Sequence, residues 1–113
     1  MASLQAIVVL ITAASQEEAR RLADALLAAR QAACVSVLPQ VNSFFWWQDT
    51  RETAEENLLV VKTVSSLLPQ LIETVKSMHS YEVPEVIALP VIGGNPDYLD
   101  WVARETDPRP EGD

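Results

Sequence analysis

Four aromatic residues stand in a row at Phe44-Phe45-Trp46-Trp47, at the far end of an extended stretch that starts near Ala33. Consecutive side chains on a strand point to opposite faces, so such a run puts two rings on each side of a ribbon. A strand over 33–47 is ~50 Å long at ~3.3 Å per residue. The two main helices expected from the sequence reach only ~25 Å and ~15–20 Å at ~1.5 Å per residue, and they cannot cover it. Left bare, the rings would show ~600–1,000 Å² of mostly apolar surface, more than ordinary monomers tolerate. Burying that surface at ~25 cal/mol per Å² is worth up to ~15–25 kcal/mol before entropy losses. The run therefore predicts association with copies of the same chain, and strand pairing between chains would also cover open sheet edges. The competing reading, a ribbon curled back over its own sheet, finds little free face in so small a sheet.

The remaining segments alternate between strand and helix patterns. Ile7 to Thr12 is a β-branched run suited to an interior strand. Ser15-Gln16-Glu17-Glu18 reads as a capping box, with Ser15 as N-cap and Glu18 reaching back. Ala19, Leu22, Ala23, Leu26 and Leu27 then form one apolar stripe of a helix expected to run to about Gln31. Ala33 to Leu38 is a second strand, and Pro39 must lie on a sheet edge or at a bulge. Gln48 to Asn57 is polar and predicted to be a hairpin tip, with a third strand from Leu58 to Thr63. Ser65 and Ser66 lead into a second helix with Pro69 in its first turn and a stripe of Leu68, Ile72, Val75 and Met78. Val86 to Val91 is a fourth strand, ended by Pro90 and a Gly93-Gly94 turn. Asn95-Pro96 caps a short third helix carrying Tyr98, Leu99, Trp101 and Val102. This order predicts an α+β fold: a ferredoxin-like βαββαβ sandwich of four antiparallel strands, helices on one face, an extended β-ribbon and a C-terminal helix. Residues 1–105 are read as one domain, and 106–113 as a disordered tail.

Sixteen acidic residues against eight basic ones give a formal charge of −8. That sign repels phosphate backbones and anionic lipid, so neither nucleic acid nor a membrane is an expected partner. A single cysteine, Cys34, forms no internal disulfide and gives no indication of an oxidising compartment. The apolar run Ala6 to Ala14 is too short to span a bilayer and is preceded by no Lys or Arg, so it reads as a strand and the protein as cytoplasmic.

Ala32-Ala33-Cys34-Val35, Val41-Asn42-Ser43 with the following aromatics, Val61-Lys62-Thr63, His79-Ser80-Tyr81-Glu82-Val83-Pro84-Glu85 and Asp97-Tyr98-Leu99-Asp100-Trp101 fall in a distinctive order and spacing. Together they resemble the CutA family of divalent-ion-tolerance proteins over essentially the whole chain up to Glu105. The resemblance implies a ferredoxin-like subunit in a stable homotrimer, architecturally similar to PII signalling proteins. It also implies tolerance to copper and other divalent ions, with metal binding. Two departures stand out: Ser80 replaces the proline usual in the family, and Phe44 to Asp49 lacks the common pattern of one aromatic, a basic residue, Trp and a Gly-Lys turn.

Within one chain the ligand count for metal is small. A closed zinc site needs four ligands, usually Cys and His, and there is one of each. A threefold axis multiplies each ligand, and clefts between subunits would bring Cys34 of one chain near His79 or Glu82 of the next. Thiolate and imidazole suit copper, and carboxylates suit harder ions. Cys34, His79 and Glu82 are therefore the candidate metal residues. Two of them also have a plain structural reading: Cys34 as a small buried hydrophobe, His79 as a cap on a helix C-terminus. Lys62 follows Leu58 and Val60 at period two, which aims an ammonium at an apolar face and calls for a carboxylate partner such as Glu82 or Glu85. That partnership is expected either as an ion pair locking subunits or as an interface pocket of Lys62, Tyr81, Glu85 and Trp47 able to hold a small anion. There is no phosphate loop, nucleophile elbow or Ser-His-Asp order, so no catalytic residue and no obligatory cofactor is expected. The leading expectation is a copper-tolerance trimer; a PII-like sensing trimer and a protein-anchoring scaffold are the alternatives.

Overall fold

A computed structural model describes residues 5–107. The elements run β1 (Ala6–Ala13), α1 (Gln16–Ala28), β2 (Cys34–Trp47), β3 (Thr50–Val64), a 3-10 turn (Ser65–Leu67), α2 (Leu68–Met78), β4 (Val86–Pro90) and α3 (Pro96–Glu105). They form one four-stranded sheet in the order β2-β3-β1-β4, with every neighbouring pair antiparallel. This is the predicted ferredoxin-like arrangement.

The period-two pattern sorts the sheet into two faces. Val9, Ile11, Leu59 and Val61 are wholly buried and pack against Ala19, Leu22 and Leu26 of α1 and Leu71 and Val75 of α2. Each such aliphatic side chain contributes ~1.5–3 kcal/mol by leaving water. The predicted stripe of α2 is rotated by one position: Leu71 occupies its centre, while Ile72 is only half-buried. On the opposite face, Leu58, Val60, Val8 and Leu10 stay half-buried, and Leu38, Ile87 and Leu89 are exposed. α3 lies at one end of the sheet, where Tyr98, Leu99 and Val102 meet Ala6, Val8 and Lys62.

The caps follow the sequence with two adjustments. Ser15 Oγ accepts the Glu18 N–H at 3.1 Å, but the Glu18 carboxylate does not reach back to Ser15; it accepts the Ala14 N–H at 2.8 Å instead. α1 stops at Ala28 rather than Gln31, because Arg30 turns left-handed at φ 55° and directs the chain toward β2. Pro69 lies in the first turn of α2, and Asn95 Oδ1 caps α3 by accepting the Asp97 N–H at 3.0 Å.

The largest correction concerns the ribbon. Gln48 to Asn57 is not a polar tip; β3 begins at Thr50, and the turn is Gln48-Asp49 alone, both left-handed at φ 50° and 64°. Two successive positive φ values match the right-handed twist of the flanking strands. The acidic stretch is drawn into a strand by register, with Phe44 opposite Thr53, Phe45 opposite Glu52, Trp46 opposite Arg51 and Trp47 opposite Thr50. Cross-strand pairing here overrides weak intrinsic β propensity. Pro39 lies on edge strand β2 at a register shift between Leu38 and Val41, where Gln40 has φ 60°. β1 ends opposite Asn57, so beyond that point β2 and β3 pair only with each other. Phe44 and Trp46 on one side of this ribbon are 77% and 70% exposed, and Phe45 and Trp47 on the other are each 42% exposed. Thr106, placed in the expected tail, is buried and its hydroxyl donates to Val102 O at 2.9 Å; residues 108–113 lie outside the described residues.

Candidate functional site

The candidate residues fall into three places along β3. Lys62 lies opposite Cys34, Glu56 is bonded to Tyr81, and Thr50 pairs with Trp47. Successive places are six residues apart, or ~20 Å at ~3.3 Å per residue. One chain therefore does not assemble Lys62, Tyr81, Glu85 and Trp47 into a single pocket. Nor does it join Cys34 to His79, which sits at the Thr12 end of β1 while Lys62 and Cys34 lie at the Val8 end.

The middle place is a buried polar cluster at the base of the ribbon. The end of α2 delivers His79, whose side chain is fully buried. Its Nδ1 accepts the Tyr81 N–H at 3.0 Å, and its Nε2 lies 2.7 Å from Thr12 O. Because Nδ1 accepts, Nε2 carries the proton and donates, so the ring is the neutral tautomer with both nitrogens committed. The expected cap is half right: His79 ends α2 with its own N–H on Val75 O, while its ring ties the helix to β1. Glu18 Oε1 lies 3.9 Å from Nε2, and Glu18 Oε2 accepts the Ser80 N–H at 2.7 Å. Burial acts to raise the Glu18 pKa, but the hydrogen bonds from Ala14 and Ser80 outweigh it and hold the carboxyl below its usual range.

The Tyr81 ring packs against His79 with centroids 4.8 Å apart and the planes tilted by 48°, and its hydroxyl donates to Glu56 Oε2 at 2.7 Å. Burial, then the bond to Glu56 and the charges of Glu56 and Glu18, push that hydroxyl far above its usual range. The Glu85 carboxyl is also raised, by partial desolvation and then by the charge of Glu56, a residue the sequence reading placed in the polar hairpin tip. The signal for Glu56 was available: it continues the period-two series of Lys62, Val60 and Leu58. Glu82 is exposed.

At the upper place the Lys62 Nζ donates to Ser36 Oγ at 2.8 Å and to Val60 O at 3.2 Å, and it forms no ion pair among the described residues. Cys34 is half-buried, and the Tyr98 hydroxyl is pushed up by burial and then by Cys34 nearby. Among the described residues no three His, Cys, Asp or Glu side chains converge to hold a metal. A cation bound at His79 would have to displace the Tyr81 N–H or the Thr12 carbonyl. No helix among the described residues is long and apolar enough to cross a membrane.

Residues 7–105 match the family model described as CutA1 divalent ion tolerance protein. A divalent-cation tolerance protein CutA of Thermus thermophilus is 48% identical over 88% of this chain and 96% of its own length. A chloroplastic CutA 1 of Oryza sativa is 44% identical over 92% of this chain, which spans 59% of that longer protein. The crystal structure of Oryza sativa CutA1 superposes with a TM-score of 0.90, covering 93% of this chain and 96% of the other at 44% identity. That of a protein described as the periplasmic divalent cation tolerance protein CutA of Archaeoglobus fulgidus gives 0.88, covering 90% and 99% at 40% identity. Matched by the family model over residues 7–105 and by relatives of this identity and coverage, the chain belongs to the CutA1 divalent ion tolerance protein family.

Proposed function

We propose that this protein acts as a homotrimer in divalent cation tolerance, copper included, engaging the ion at or near its subunit interfaces without catalysing a reaction. The observation that carries the reading is the bare ribbon: Phe44 and Trp46 are 77% and 70% exposed in the single chain, which a stable protein covers by association. Lys62, which has no carboxylate partner among the described residues, favours the same conclusion, because Glu82 or Glu85 of a neighbour would supply one. Cys34 and Glu82 are the proposed ligands from adjoining chains; His79 joins them only where the 79–81 turn gives up a hydrogen bond. The proposed location is the cytoplasm.

Sedimentation velocity combined with calorimetric titration of metal-free protein tests this reading. The expected result is a species of three chains with saturable copper uptake that Cys34→Ala with Glu82→Gln weakens. A monomer, or uptake unchanged in that double variant, overturns it.

A further inference from the structure

We propose that His79, the one histidine of the chain, is withheld from the cation and serves it by position, fixing the turn from which Glu82 projects. This rests on the reading of Glu82 as a ligand and gives the imidazole a different part. His79 Nε2 and Glu18 Oε1, an imidazole and a carboxylate 3.9 Å apart, resemble the start of a metal site. Each of their four polar atoms is already engaged. His79 Nε2 donates to Thr12 O at 2.7 Å, and Nδ1 accepts the Tyr81 N–H at 3.0 Å. Glu18 Oε1 accepts the Ala14 N–H at 2.8 Å, and Oε2 accepts the Ser80 N–H at 2.7 Å. Both side chains are buried, the imidazole completely. Ligation through either ring nitrogen would strand a backbone group inside the fold, at a cost of about tenfold in affinity for each bond lost. The exposed Glu82 carboxylate avoids that cost.

The same bonds anchor the turn. Three successive N–H groups go to three different acceptors: His79 to Val75 O at 2.9 Å, Ser80 to Glu18, and Tyr81 to the His79 ring. Tyr81 is held at its far end as well, where its hydroxyl reaches Glu56 Oε2 at 2.7 Å. Glu82 follows directly on a stem tied to β1 through Thr12, to α1 through Glu18 and to β3 through Glu56. A ligand on so fixed a backbone loses little conformational freedom on binding, and that saving appears as affinity. The His79 ring makes two of these ties, one from each nitrogen. A side chain that accepts the N–H two residues onward makes the contact of an Asx turn, so asparagine can replace the Nδ1 half of the imidazole but not the half that reaches Thr12.

With one histidine in the chain, every imidazole signal of the untagged protein comes from His79. Pulsed electron paramagnetic resonance of the copper-loaded assembly should show no imidazole nitrogen coupling. In the metal-free protein the ring nitrogen shifts should show Nε2 protonated and Nδ1 bare, with slow exchange of the Ser80 and Tyr81 amides. His79→Ala should lose the protection at Tyr81 and weaken copper uptake about tenfold, the worth of one such bond. His79→Asn should recover most of both, although both variants melt lower for want of the Thr12 tie. Imidazole coupling to copper, a proton on Nδ1, or equal uptake by the two variants would overturn the proposal. Uptake that Glu82→Gln weakens and His79→Ala leaves alone overturns this proposal only. An unaltered protein that takes up no copper overturns the cation reading, and this proposal with it.

Discussion

Ser80 shows how one departure from the family pattern acts on a neighbour. Its N–H donates to Glu18 at 2.7 Å, a bond that the proline usual at this position cannot make. His79 before it has φ −77° and ψ 144°, the conformation a following proline imposes, so Ser80→Pro deletes a donor while leaving the backbone at His79 in place. A carboxyl with a depressed folded pKa stabilises the fold above its ordinary titration range, and that contribution is lost as pH falls through the depressed value. Ser80→Pro should raise the Glu18 pKa toward the ordinary range and narrow that acid-sensitive window; urea unfolding between pH 3 and 7 measures it, with an expected cost of ~1–3 kcal/mol at pH 7. Glu85 has the opposite sign. Its raised carboxyl pKa means the folded state binds its proton more tightly than the unfolded state, so its charge costs stability once pH rises past the ordinary range. Glu85→Gln should therefore stabilise at pH 7 and not at pH 3, by only a few tenths of a kcal/mol because the residue is exposed.

The ribbon is the element whose sequence and geometry are in tension. Gln48 and Asp49 hold φ 50° and 64° without a glycine between them. A left-handed conformation strains an ordinary L-residue by ~1–2 kcal/mol, less for Asp. Replacing the pair by Asn-Gly supplies the residues such a turn favours and should stabilise the protein by ~0.5–1 kcal/mol, read as a rise in the denaturation midpoint at unchanged denaturant slope. A lower midpoint would show that Gln48 or Asp49 makes a contact outside its own chain that outweighs the strain. The helices carry no comparable tension. Ser15 and Asn95 cap α1 and α3, and the apolar stripes of α1 and α2 point at the same strands.

For the whole molecule, the long dimension of 48 Å against a thickness of 22 Å reflects a ribbon extending past its own core. Association that buries the rings links stability to concentration. The melting temperature should rise with protein concentration, and Phe44→Glu with Trp46→Glu should lower it and yield smaller species on sedimentation. A melting temperature independent of concentration in dissociable conditions would count against the assembly.

The sequence alone determined the element order, the helix caps and the sheet's two faces, since these rest on local periodicity and on residue types with narrow conformational preferences, such as Ser15, Pro39, Pro69 and Asn95. Family membership was legible for the same reason, in motifs spread along the chain. Only the tertiary structure decided that Glu52 to Asn57 is strand, because register with the aromatics outweighs the weak preferences of acidic residues. It alone set His79 in a closed network with Thr12, Tyr81 and Glu18, and Lys62 beside Tyr98 instead of Glu85. Those pairings join residues tens of positions apart, and which distant side chains meet depends on how strands align and helices pack, a property of the folded whole that no local window contains.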